Sequence, residues 1–193
     1  MPRFPFLSDD ANMVDVFERQ RARMVPLGRA TEAVMHGPSA LDVQARELIA
    51  AFVSGLNGCR YCHESHRAFA EAHGVPAGLL KALLDDLDHA PVEDDLRALL
   101  AFCRKLTETP SRMVDADYEA MRDAGWSDEA IEDAIFVTAL FNLYNRLMDG
   151  YGMQPRSPDA NRRRAELIRE YGYDFTRWPA EILRPDSKSE RQA

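Results

Sequence analysis

Residues 41–74 read LDVQARELIAAFVSGLNGCRYCHESHRAFAEAHG, two helix-patterned stretches divided by the short turn Gly55-Leu56-Asn57-Gly58. In the first stretch Leu41, Ala45, Leu48, Ile49 and Phe52 recur at helical spacing. The second closes at Gly74, a residue suited to the left-handed position that ends a helix. So short a turn predicts an antiparallel helical hairpin. Both helices rise equally per residue, so residues equidistant from the turn lie level with one another. Glu47 and His66 are such a pair. The hairpin therefore predicts that Glu47 faces His66 across its seam.

The rest of the chain fits an all-α fold. β-branched residues are sparse, and no segment alternates apolar and polar residues with period two. Ser8, followed by two aspartates, predicts the cap of a helix to about Arg23, broken at Pro26 and Gly28. Short helices are expected over Arg29 to Met35 and from Pro76 to Leu84, and a longer one from Pro91 to Glu108. Another short helix covers Asp115 to Ala124. The longest runs from Ser127 to Gly150, and its section AIFVTALFNLYNRLM is apolar on nearly every side, which predicts an enclosed helix. An Arg-rich helix follows over Asn161 to Tyr171, then a short piece around Trp178 and a polar, frayed end. The expected organisation is an N-terminal helical arm over 1–25, a core over 26–152, and a C-terminal helical extension with a polar tail over 153–193.

The net charge of −8 argues against nucleic acid or an anionic membrane as the main partner. No stretch approaches the ~20 apolar residues of a membrane helix. The start, MPRFPFLSDDANMVDVFERQ, is acidic and has no apolar export region. These features predict a cytoplasmic chain with reduced thiols.

The motif GCRYCHESH, residues 58–66, holds two of the three cysteines and two of the five histidines. Cys59-Arg60-Tyr61-Cys62-His63 has the CxxCH pattern of covalent haem attachment. That chemistry normally occurs outside the cytoplasm, which weighs against it. Cys59, Cys62, His66 and Glu47 are also residue types that suit zinc, although a second CxxC or HxxxH group is lacking. The third reading is a dithiol with a base. Cys59, Cys62 and His66 stand at i, i+3 and i+7, within about 60° of one another on a helix. Asn57 as N-cap would put Cys59 in the first turn, where free N–H groups favour a thiolate. Side chains lean toward a helix N-terminus, so His66 leans toward Cys62. A thiol, a base and a carboxylate that orients the base form a nucleophile relay.

Other candidates read more simply. Cys103 is a core residue. His63 is solvated, His73 meets a helix C-terminus, and His36 and His89 lie in loops. Tyr61 belongs to the surface or an interface, with lining of a substrate pocket as the alternative. Asn142, Asn145 and Arg146 interrupt the apolar helix, which suits structural hydrogen bonding or a subunit contact, with lining of a substrate pocket as the alternative.

Glu47, Cys59, Cys62 and His66, at that spacing, resemble the active-site signature of the alkylhydroperoxidase D-like family, within the carboxymuconolactone decarboxylase superfamily. The run RELIAAFVSGLNGCRYCHESHRAFAEAHG, with MHGPSAL before it and NLYNRLMDG after it, is similar to the branch of peroxidase-related proteins. The likeness covers roughly Pro26 to Gly152. In relatives a histidine directly precedes the second cysteine, where this chain has Tyr61. The resemblance implies an all-α protein in trimers or hexamers, with a cysteine peroxidase site. It implies that Cys62 attacks a hydroperoxide, Cys59 resolves the sulfenate to a disulfide, and His66 with Glu47 relays protons. The helix end favours Cys59 as thiolate while His66 favours Cys62. A base also carries the proton away, which supports the family's assignment. It implies no haem, flavin or metal, and reduction by an external dithiol, lipoyl or thioredoxin-like. A lactone decarboxylase of the same superfamily and a zinc protein are the alternatives.

Overall fold

A computed structural model describes residues 2–183, so the expected polar, frayed end over 184–193 lies outside the described residues. The described chain is all-α, with no strand. The helices are α1 (Met13–Arg19), α2 (Arg21–His36), α3 (Val43–Leu56), α4 (Arg60–Ala72), α5 (Leu79–Asp85), α6 (Asp94–Glu108), α7 (Asp115–Asp123), α8 (Asp128–Tyr151), α9 (Pro158–Tyr171) and α10 (Ala180–Leu183). No helix among the described residues is long and apolar enough to cross a membrane.

The N-terminal cap is Asn12 rather than Ser8. Asn12 Oδ1 accepts from the Val14 N–H, and Asp15 reaches back to the Asn12 N–H at 2.8 Å. Two donors are satisfied there at once, whereas the Ser8 hydroxyl is turned to Asp10. Pro26 and Gly28 do not break a helix; both lie inside α2. Met24, Gly28, Thr31 and Met35 form one buried stripe along it. At Gly28 the absent Cβ admits the Tyr173 carbonyl, which an added Cβ would meet at 3.2 Å. The boundary expected at 25/26 thus falls within a continuous helix. His36 is not in a loop but closes α2, 3.3 Å from Glu32.

The enclosed helix is α3, not α8. Residues 46–54 are all buried, and Leu48, Ile49, Phe52 and Val53 contribute about 1.5–3 kcal/mol each by leaving water. Arg46 is tolerated inside because its guanidinium donates to the carbonyls of Val34 and Gly37, each at 3.0 Å. By contrast α8 leaves Phe136 63% and Leu143 46% exposed.

The hairpin forms as predicted, with α3 packed on α4. Its turn differs in one detail. Gly58 takes the left-handed conformation (φ +70°), its N–H donates to Gly55 O, and Cys59 N–H donates to Ser54 O, each at 3.0 Å. This closure of α3 uses two residues, so α4 restarts with Cys59 as its N-cap. Asn57 therefore caps the end of α3 instead, and its amide donates to Asn142 and Asn145.

Candidate active site

The predicted pairing of Glu47 with His66 is present. Glu47 is fully buried, and His66 Nδ1 lies 2.8 Å from Glu47 Oε2. The other carboxylate oxygen accepts a 2.5 Å hydrogen bond from the Tyr173 hydroxyl. Burial, then the charge of Glu47 and this hydrogen bond, push the Tyr173 hydroxyl well above its ordinary pKa, so it stays protonated and donates. With both oxygens accepting, His66 presents Nδ1–H to Glu47. Its Nε2 is then free to act as a base. The ring is clasped edge-on by Phe69 and Phe141, at 4.9 and 4.4 Å, and lies parallel to Tyr173 at 6.2 Å.

Tyr173 was not legible as a site residue. It is held by Gly172, whose positive φ of +76° strains any side chain and whose Cα faces the Glu32 carboxylate. Glu32 accepts from the Tyr173 N–H at 2.6 Å, and Trp178 Nε1 donates to Gly172 O at 2.9 Å. The C-terminal extension is thereby fastened to α2, while α9 packs on α4.

A cavity of about 70 Å³ lies between α4, α2, α8 and α9. Cys62, His66, Tyr61 and Ser65 line it from α4, Thr31 from α2, and Phe141 and Tyr144 from α8. Met13 and Phe17 close it from α1, while Arg156, Arg164, Ile168, Tyr173 and Phe175 close it from the C-terminal extension. Cys59 is fully buried and not on the wall.

The Cys62 thiol is pushed well above its ordinary pKa. Its hydrogen bond with Cys59 is the first cause, and burial the second; a hydrogen bond from Asn145 opposes them. Access to the cavity, rather than a lowered pKa, therefore sets Cys62 apart. A raised pKa means less thiolate at every pH below it. Alkylation of Cys62 by iodoacetamide should accordingly rise only above the ~8.5 midpoint of an ordinary thiol. Cys59→Ala removes the first cause and should lower that midpoint. Mass spectrometry of the Cys62 peptide across pH reads both, and a wild-type midpoint at or below the ordinary value would contradict the placement.

The remaining sequence candidates separate clearly. Tyr61 is buried rather than on the surface: its hydroxyl accepts from the Met13 N–H at 3.0 Å and ties α1 to α4. Asn142, Asn145 and Arg146 do not line the cavity. Asn145 donates to Ser54 Oγ at 2.8 Å and accepts from Asn57, while Asn142 accepts from Asn57 and Arg146, so the three brace the hairpin turn against α8. His63 is half-buried rather than solvated, because Nδ1 meets the Ala51 carbonyl at 3.1 Å. His73 Nδ1 bonds Phe69 O at the end of α4, and His89 lies in a loop beside Asp86. Cys103 is fully buried, its thiol pushed up to about 12 by burial. As zinc ligands the four residues fare poorly: both Glu47 oxygens are engaged, and no group of three or more His, Cys, Asp or Glu among the described residues is placed to hold a metal.

Residues 27–90 match the carboxymuconolactone decarboxylase family. In structure the chain is similar to the alkylhydroperoxidase AhpD core of an uncharacterized peroxidase-related protein from Ralstonia eutropha JMP134, with 26% identity over 76% of each chain and a TM-score of 0.71. It is similar also to an uncharacterized peroxidase-related protein from Silicibacter sp. TM1040, with 29% identity over 76% of each chain and a TM-score of 0.71. The chain's fold is that of the alkylhydroperoxidase D-like proteins. The debrominase Bmp8, in complex with 2,3,4-tribromopyrrole, shares this fold at 18% identity over 79% of this chain and 81% of that one, with a TM-score of 0.65. No curated protein matches. Glu47, Cys59, Cys62 and His66 all fall inside the family match, whereas Arg156, Arg164 and Tyr173 lie beyond it. A sequence signal for Arg164 existed: it sits on the buried stripe of α9 that Asn161, Ala165 and Ile168 define.

Proposed function

We propose that the chain is a thiol peroxidase. One observation carries the reading: Cys62 opens on a cavity beside His66, which Glu47 orients, with buried Cys59 one helical turn away and off the wall. His66 Nε2 takes the Cys62 proton. The thiolate attacks the terminal oxygen of a hydroperoxide, the O–O bond breaks, and the alkoxide leaves with the proton from His66 as an alcohol. Cys62 is then a sulfenic acid. The Cys59 sulfur displaces its oxygen, an S–S bond forms, and the oxygen departs as water with the Cys59 proton. An external dithiol, lipoyl or thioredoxin-like, returns two electrons and two protons. No bound cofactor enters this cycle. Consumption of hydroperoxide in the presence of dihydrolipoamide, dependent on Cys62, is the test. A purified protein that leaves the peroxide untouched would refute the reading.

The same proposal includes assembly. Phe136, Leu140 and Leu143 stand at i, i+4 and i+7 on the outer face of α8, and the outer two are exposed. A second copy covering this stripe would remove it from water, which supports a homo-oligomer built on a trimer. Light scattering should give a multiple of the 21.8 kDa chain mass; a monomer at every concentration would contradict it.

A further inference from the structure

The cavity wall carries two charges of the same sign. Arg156 and Arg164 are the only formally charged side chains, besides the titratable His66, that line it; Glu47 stands behind His66 rather than on the wall. Both arginines are half-buried. Neither forms an ion pair with a carboxylate among the described residues, whereas Arg29, Arg67, Lys105 and Arg122 do. Arg164 is held by ring faces instead, its guanidinium 4.6 Å from the centres of Phe175 and of Trp178. This stacking fixes the plane while leaving the N–H edge for another partner. Burial lowers the Arg164 pKa to about 10, and the neighbouring Arg156 charge acts in the same direction. Two guanidinium groups on the wall of one cavity are a poor arrangement for stability alone. They are a good one for a planar anion, which can accept from both forks at once. The remaining wall is largely apolar and aromatic, with Thr31 and Ser65 the aliphatic hydroxyls on it.

We propose that the cavity binds a carboxylate with a small apolar body. The carboxylate would lie between Arg156 and Arg164, and the body would extend along Phe141 toward Cys62 and His66. Resting on the thiol-peroxidase reading, this makes the preferred substrate a hydroperoxide that also carries a carboxylate. A neutral hydroperoxide of the same shape is the poorer substrate.

The binding half of the proposal is tested without turnover. Phenylacetate and phenylacetamide have nearly the same shape and differ in charge. Their affinities for the reduced full-length protein are read by calorimetry and by fluorescence of Trp178, with Trp126→Phe removing the other tryptophan, which is not on the cavity wall. Phenylacetate should bind at least about tenfold more tightly, as expected for charge-assisted hydrogen bonds. Arg156→Gln and Arg164→Gln should each remove most of that preference, and Arg164→Lys should keep part of it. The acid–amide comparison on the unsubstituted protein stands even if a variant fails to fold. Equal affinities, or no binding of phenylacetate at millimolar concentration, would overturn the proposal. Charge preference without consumption of any hydroperoxide would refute the peroxidase reading and leave the anion site standing. Turnover without charge preference would do the reverse.

Discussion

His66→Ala should slow the oxidation of Cys62 by hydroperoxide by about 10²–10⁴-fold, the usual worth of a positioned general base. The reason lies in the state of the thiol. Hydrogen bonding to Cys59 and burial hold Cys62 in its protonated form, so attack needs a group that takes the proton as the sulfur advances. His66 is the imidazole on the cavity wall, and Glu47 fixes it by Nδ1. Without it hydroxide must serve, so the residual rate of the variant should climb with pH through the alkaline range. Added imidazole should restore part of the neutral rate, because the lost ring leaves room beside Phe69 and Phe141. A merely structural role for His66 would show neither the pH climb nor the rescue. Stopped-flow oxidation of the reduced protein measures the rate, and an unchanged rate at neutral pH would remove His66 from the chemistry.

Glu47→Ala should produce the largest loss of stability of any single change at the site. The carboxylate is fully buried and accepts from both His66 and Tyr173. Its removal leaves two buried donors without an acceptor, which costs about 3–5 kcal/mol. For a chain of this size each kcal/mol moves the melting temperature by about 2–4 °C, so a fall of roughly 10 °C is expected. Glu47→Gln keeps the volume but offers one acceptor and one donor, so it can serve only one of the two partners. It should fall between wild type and Glu47→Ala. Tyr173→Phe removes one hydrogen bond and should cost only about 1–2 kcal/mol. Calorimetric melts order the variants. A Glu47→Ala protein that melts with wild type would mean that the carboxylate is not bonded in this way.

What could be read from the sequence was whatever local spacing determines. The level of Glu47 with His66 follows from equal rise on two helices and a short turn, and the structure has it at 2.8 Å. The helix-end residues were less legible, because competing caps differ by a residue or two: Asn57 reads as an N-cap until Gly58 is known to close α3 and pass the role to Cys59. Long-range packing decided the other differences. Pro26 and Gly28 look like breakers, yet the C-terminal extension packs on Gly28 and the helix continues. An apolar α8 reads as enclosed, but it is α3 that neighbours surround. Tyr173, 126 residues from Glu47, carries no periodicity that points to the site; only the fold brings its hydroxyl there.

The central claim is the division of labour between the cysteines, and trapping the oxidised sulfur tests it most directly. Wild type treated with one equivalent of hydroperoxide should lose two free thiols per chain and yield a Cys59–Cys62 disulfide, with Cys103 untouched. In Cys59→Ser the sulfenic acid should persist on Cys62 and be captured by a dimedone-type reagent, because the sulfur that would displace its oxygen is gone. In Cys62→Ser, where no thiol other than buried Cys59 remains near the cavity, little adduct should form. Mass spectrometry locates the adduct. An adduct on Cys59 in Cys62→Ser, together with none in Cys59→Ser, would contradict the account.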